Sequence, residues 1–496
     1  MIAQQALEHR QSFSVMVIIC ANALDAARLQ EEIPVFAPQL SVRLLPDWEI
    51  LPYDAFSPHQ DLVSERLATL HELLIGSCDI VLMPVTTALQ KLGPPSFLAA
   101  HTFFFNKGDM LDEMALRLQL QQAGYDPVSA VVRPGEYSLR GGLIDLFPMG
   151  SALPYRIDLF GDEIDQIRSF DPDSQRSLFP VKEVRLLPGH EFPMDEESRT
   201  AFRGRWREVF DGDPSRCSIY KDIGLGIPSA GIESYLPLFF ETSATVFDYL
   251  PMAKGPVWLG IHGELESNIK GFWQDTQQRY NFLSHDSSRP VLDPKQLYLQ
   301  NDELFTLLKN HPRLVLEKQS TSDEPTFFEL PDVSVNRKDT DPISKLKHLV
   351  HNTNSRIIIS ADSAGRRETI RQLLEENQLK AHQTDSLIDF LGCDAKLGIT
   401  HSDIHDGFVS KQAELIVITE SELFAASART RRKGKDKEAS NVDTLVKDLS
   451  ELKVGDPVVH AEHGIGRYQG LILLDVGNGE EEFLHLLYAN AATLYV

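Results

Sequence analysis

Cysteine is scarce: Cys20, Cys78, Cys217 and Cys393 are the only four in 496 residues, and no two stand in CxxC spacing. That excludes a zinc ribbon or a disulfide scaffold and fits a reducing compartment, so the cytoplasm is the expected location. Long apolar runs are missing as well. "VMVIIC", residues 15–20, is far too short to span a bilayer, lacks signal-peptide flanks and reads as a buried strand, so no membrane partner is expected. Positive charge is in deficit, with 48 basic against 72 acidic residues and a net charge of -24, which argues against nucleic-acid binding by the surface as a whole. The chain also has no G-x-x-x-x-G-K-[ST] loop, and "VITESE" at 417–422, the nearest thing to an acidic pair after a strand, reads as a strand end. ATP hydrolysis, a catalytic residue, a metal and a bound cofactor are therefore not expected of this chain. His460, Glu462 and His463 lack the one-face spacing of a helical metal site and read as a turn beside a strand.

With 42% hydrophobic and 24% charged residues, the chain has the balance of a folded protein, and its length predicts three to five domains. "FSVMVIICAN" followed by "ALDAARLQEEI", and then "DIVLMPVTTALQKL", predict strand–helix units of a parallel sheet. Between them, "DWEILPYDAFSPHQ" reads as a loop leading into a helix with Leu62, Leu67, Leu70, Leu73 and Leu74 at helical spacing, and Pro58 fits its first turn. From residue 103 the texture changes to a helix, "MLDEMALRLQLQQAGY", and then short strands, with a hairpin around Gly161 and Asp162. Mixed elements return from 188, including a strand in "GPVWLGIH". "SRIIISADSAGRRETIRQLLEEN" and "AELIVITESELF" predict a second α/β unit, "ARTRRKGKDKEAS" an exposed tether, and the glycine-punctuated strands after 447 a small barrel-like β module. The fold class is multidomain α/β.

Few residues stand out as candidates for chemistry or binding. Trp48, Tyr53 and Phe56 have acidic neighbours, which favours packing over stacking on bases. Arg366 and Arg367 sit near a strand-to-helix junction where phosphate is one possible ligand, although a solvated helix face is the simpler reading. In "PGEYSLRGGLIDLFPMG" an arginine, Arg140, stands before two glycines, and an apolar run surrounds a lone Asp145. Arg140 and Arg156 each flank an apolar strand, and Phe160 ends the second strand at a turn. A rigid arginine fork beside a turn aromatic suits a protein interface, whereas salt bridges within the domain and a core Phe160 are the alternative.

The motifs "LPYDAFSPHQDLVSERLATL", "GEYSLRGGLIDLFPMGSALPYRIDLFGDEID", "LLPGHEFP", "PSAGIESYLPLFF" and "GDPVVHAEHGIGRYQGL", in this order, resemble the N-terminal part of the bacterial transcription-repair coupling factors, the Mfd family. The resemblance implies a UvrB-like α/β domain without an ATP site in two parts, 1–102 and 188–340. It also implies an inserted α+β UvrA-binding module at 103–187, a second α/β domain at 341–430, a linker at 431–446, and an incomplete RNA-polymerase-interacting β module at 447–496. The resemblance places UvrA contacts on Arg140, Arg156 and Phe160, and a contact with the polymerase β subunit on Leu474. It further implies that the chain begins inside the first domain, without its opening helix, and stops short of the motor domains. Those motors would bring ATP, Mg and double-stranded DNA. A truncation is also what the bare ending "TLYV" suggests. The expected role is an adaptor in transcription-coupled nucleotide-excision repair, with a UvrB-like helicase or a direct damaged-DNA binder as the alternatives.

Overall fold

The computed structural model describes residues 2–251, 256–263, 265–286, 288–316, 327–328, 330–336, 339–424, 457–460, 464–475, 480–488 and 493–495. They fall into two compact units, 1–424 and 425–496.

Val15–Cys20 is buried at every position because it is the middle strand of a five-stranded parallel sheet, ordered Arg313–Leu316, Val257–His262, Val15–Cys20, Ile80–Pro84, Val42–Leu44. A strand covered on both faces has no polar side to alternate with, which is why its sequence is a continuous apolar run. Two of the five strands come from far along the chain, beyond residue 250. The helix Ala23–Phe36 starts where the Asn22 side chain accepts a hydrogen bond from Asp25 N, satisfying one of the free N–H groups of its first turn. The helix Gln60–Ile75 is capped by His59, so Pro58 lies just outside its first turn rather than within it. A helix, Ile2–His9, precedes the first strand; it is too short for its apolar spacing to register as a pattern.

The chain leaves this sheet through Phe103–Asn106 and returns through Glu183–Leu186, which pair antiparallel as a two-stranded ribbon. Between them lies a second sheet, ordered Ser177–Val181, Glu163–Phe170, Tyr155–Phe160, Leu143–Leu146, Glu136–Arg140, Asp126–Pro127. Only its last pair is parallel. The helix Glu113–Gln122 buries Leu116 and Leu120 in the same core as Tyr137, Ile144, Ile157, Ile164 and Ile167, which covers one face of this sheet.

Further along, Trp206 and Phe202 of the helix Glu196–Val209 join Tyr220, Tyr235 and Phe239 in an aromatic cluster that also takes in Trp48 and Tyr53. Packing is therefore the role of these last two residues, whereas Phe56 is exposed. The expected second α/β unit forms a mixed sheet around Arg356–Ala361, with Leu415–Thr419 and Leu397–His401 parallel on either side. "VITESE" is the end of Leu415–Thr419 and the following turn of helix, whose Glu420 is engaged by Arg366. In the second unit, Pro457–His460, Gly464–Asp475, Glu480–Leu487 and Thr493–Tyr495 form an antiparallel sheet in sequence order. The segment 428–440, along with Glu462 and His463, lies outside the described residues.

Arg66 and Glu191 join the two halves of the first domain across the inserted module. Arg66 is fully buried, donates from Nε to Glu191 Oε1 at 2.6 Å and from Nη1 to the Pro46 carbonyl at 2.6 Å, and lies over the Trp48 ring, whose Nε1 also donates to Glu191. Removing one partner of such a pair leaves an uncompensated buried charge. Glu191→Gln is therefore expected to lower the stability of this unit by about 3–5 kcal/mol. Arg66→Met with Glu191→Leu should recover most of that loss. Urea unfolding followed by tryptophan fluorescence checks both.

Candidate partner-binding site

The second face of the inserted sheet, opposite the core, follows from strand alternation. Tyr137, Leu139, Ile144, Leu146, Ile157 and Leu159 point into the core, so Ser138, Arg140, Asp145, Arg156 and Asp158 belong to the other face. Register then sets Ser138, Asp145, Arg156 and Arg168 side by side across four strands. Arg140 lies two residues from Ser138 on the same face.

Asp145 is fully buried and holds both arginines. Arg156 grips it with a fork, Nε to Oδ1 at 2.7 Å and Nη2 to Oδ2 at 2.9 Å; it also donates to the Gln175 carbonyl and covers the ring of Phe170 at 4.8 Å. The bonds to Asp145 raise the Arg156 pKa above its usual value, so its charge is permanent. Arg140 places only Nη2 on Asp145, at 2.7 Å, and its side chain is 53% exposed. Arg168 is paired with Asp158 at 2.5 Å. The two arginines are thus salt-bridged within the domain, as the alternative reading had it, but to different degrees: Arg156 is committed to Asp145, whereas Arg140 is half-free.

Phe160 is not core. It is 84% exposed, at the last position of Tyr155–Phe160, where the chain turns through Gly161 and Asp162 into Glu163–Phe170. Gly161 has φ +63, a left-handed conformation that glycine takes without strain. The corresponding turn from Glu136–Arg140 into Leu143–Leu146 uses Gly141 and Gly142, both with positive φ, which explains the two glycines after Arg140.

Three family descriptions match the chain: the UvrB interaction domain at 103–192, the MFD D3 domain at 350–423, and the CarD-like/TRCF RID domain at 452–496. Transcription-repair-coupling factors are similar along almost all of it. The Haemophilus influenzae protein is 39% identical over 98% of this chain and the Escherichia coli protein 40% over 97%, while the Bacillus subtilis protein is 24% identical over 97%. Along almost its whole length the chain is similar to the N-terminal part of the transcription-repair-coupling factors. It spans about 42% of the length of these relatives.

In this chain, Arg140, Arg156 and Asp145 are brought together on one sheet face, with Phe160 at the end of one of that sheet's strands. Leu474 is in the other unit, in Gly464–Asp475 opposite Glu481, and its side chain lies outside the described residues. Arg366, the other candidate, is paired with Glu420, and the Ser363 side chain caps the helix Ala364–Glu376. The residue not assigned a role from sequence is Asp145. Its signal was the lone acid in an apolar run, which becomes interpretable only when Arg156 is known to lie opposite it.

Because Asp145 is fully buried with two cations on it, Asp145→Ala is expected to destabilise this unit by about 3–5 kcal/mol. Arg140→Ala, at a half-exposed position, should shift stability by less than about 1 kcal/mol. Chemical denaturation of the two variants side by side measures the contrast.

Proposed function

We propose that this chain is the adaptor half of a transcription-repair coupling factor, joining RNA polymerase stalled at a DNA lesion to UvrA and hence to nucleotide-excision repair in the cytoplasm. One observation carries the reading: a single chain matches both the UvrB interaction domain and the TRCF RID domain, and the first of these presents an exposed aromatic and a half-free arginine on one sheet. Phe160 is the apolar anchor for UvrA and Arg140 supplies N–H donors for a carboxylate. Arg156 acts mainly by holding Asp145 and the sheet face in place. The module at 447–496 is the polymerase-binding part, a barrel-like fold that meets the β subunit through Leu474. ATP, Mg and double-stranded DNA belong to the motor domains of the intact protein, not to this chain. A UvrB-like helicase is disfavoured by the lack of a phosphate loop in the sequence.

The test is binding of the purified chain to UvrA by calorimetry, alongside the double variant Arg140→Ala, Phe160→Ala. Interface anchors of this kind are worth at least about 2 kcal/mol, so the variant should bind about 30-fold more weakly or not at all while its melting temperature stays near that of the parent. Equal binding by a folded variant overturns the assignment of these residues, and no binding by the parent overturns the UvrA reading. For the other end, Leu474→Glu should abolish capture of the polymerase β subunit without affecting UvrA.

A further inference from the structure

Three of the motifs quoted above meet at a place that neither partner contact uses. Ser57 of "DAFSPHQ", His190 and Glu191 of "PGHEFP", and Glu233 of "AGIESY" line one cavity of about 160 Å³, walled by Trp48 and Phe192. At about 30 Å³ per water it has room for roughly five waters, and it is well short of the ~300 Å³ at which sites for larger organic ligands begin. A nucleotide does not fit, but a group the size of a side-chain head does.

The lining also has a sign. No lysine or arginine lines the cavity. Glu191 is already held by Arg66 and Trp48. Burial pushes the His190 imidazole down to about 4, so it is neutral at pH 7; its ring stacks on Phe192 at 5.1 Å. Glu233 accepts a hydrogen bond from the Ser57 hydroxyl at 2.9 Å, and that hydroxyl accepts one from Gly231 N at 3.1 Å. A Cβ on Gly231 would lie 2.5 Å from the Asp54 carbonyl, so the two loops are locked together at this point. Glu233 has no ion-pair partner among the described residues.

We propose that this cavity binds a guanidinium or alkylammonium group, with Glu233 as its charge partner and Trp48 and Phe192 as its walls. An anion would face Glu233 with no cation in the lining to hold it, and a purely apolar group would leave the Glu233 carboxylate with no charge partner beyond its hydrogen bond from Ser57.

The pH dependence follows. Burial pushes the Glu233 carboxyl up to about 7, against the opposing hydrogen bonds from the backbone and Ser57 and with a small addition from Glu191. Below that value the acid is protonated and a cation must displace the proton, whereas above it the carboxylate is ready. Affinity for a cation should therefore rise about tenfold from pH 6 to pH 8. Over this range His190 stays neutral.

Millimolar methylguanidinium and N-acetylarginine methylamide, titrated separately into the full chain and followed by saturation-transfer NMR, test the proposal. Saturable binding with the tenfold pH trend, reduced at least tenfold in Glu233→Gln, is the expected result. The glutamine still accepts from Ser57, so the fold should hold, as circular dichroism will show. Binding of both probes supports a partner's arginine as the natural occupant, and binding of methylguanidinium alone supports a free small cation. Absence of saturable binding, or an affinity in the unaltered chain that ignores pH, overturns the proposal irrespective of how the variant folds. None of this depends on UvrA.

Discussion

The buried pair of Arg66 and Glu191 is the constraint on which the first domain depends. The two residues come from opposite sides of an insertion of about eighty residues, and the sheet they support draws strands from both sides as well. Apolar packing alone would bury the same surface but would tolerate sliding of one half against the other. A guanidinium fork on a carboxylate, fixed further by the Pro46 carbonyl and the Trp48 indole, accepts one geometry only. That geometry fixes where the ribbon Phe103–Asn106 with Glu183–Leu186 leaves the domain, and hence where the inserted sheet is presented.

The inserted module uses the same device. Arg156 forks onto buried Asp145 and lies over Phe170, as Arg66 forks onto Glu191 and lies over Trp48. In both cases the aromatic face shields the ion pair from water, which strengthens the pairing and also raises the penalty for losing either partner. Arg140 differs in having a single contact with Asp145 and half its side chain exposed. A buried anion that over-commits one arginine and under-commits a second leaves the second oriented and still able to donate. Orientation without saturation is what a pre-organised contact requires, because little side-chain freedom remains to be lost on binding.

The parts legible in the sequence were those governed by local chemistry. Val15–Cys20, Ile80–Pro84 and Arg356–Ala361 declare themselves as apolar runs, and the Gly161–Asp162 turn as glycine between alternating strands. What was not legible was partnership at a distance. Nothing near Val257 says that its strand lies beside Val15, and nothing near Asp145 says that Arg156 stands opposite. Arg140 and Phe160 were found as types suited to an interface, but their exposure depended on which strand face the core claimed. Pro58 shows the limit even for local rules, since proline is tolerated both in the first turn of a helix and just ahead of its cap.

Charge bears on how such a site works. The chain carries a net -24, and at physiological ionic strength charges more than roughly a Debye length away, about 8 Å, are largely screened, so an acidic partner surface approaching Arg140 feels no long-range pull and meets the protein's acidic groups only at close range. Long-range steering is thus unavailable to a carboxylate seeking Arg140, and a fast encounter is not what the surface is built for. Attraction has to come at contact, from hydrogen bonds to a fixed guanidinium and from burial of the Phe160 ring, a side chain worth about 1.5–3 kcal/mol when taken fully out of water. Such contacts act mainly on the rate of departure. An exposed aromatic and a half-committed arginine on one sheet of an acidic protein therefore favour slow release over rapid capture.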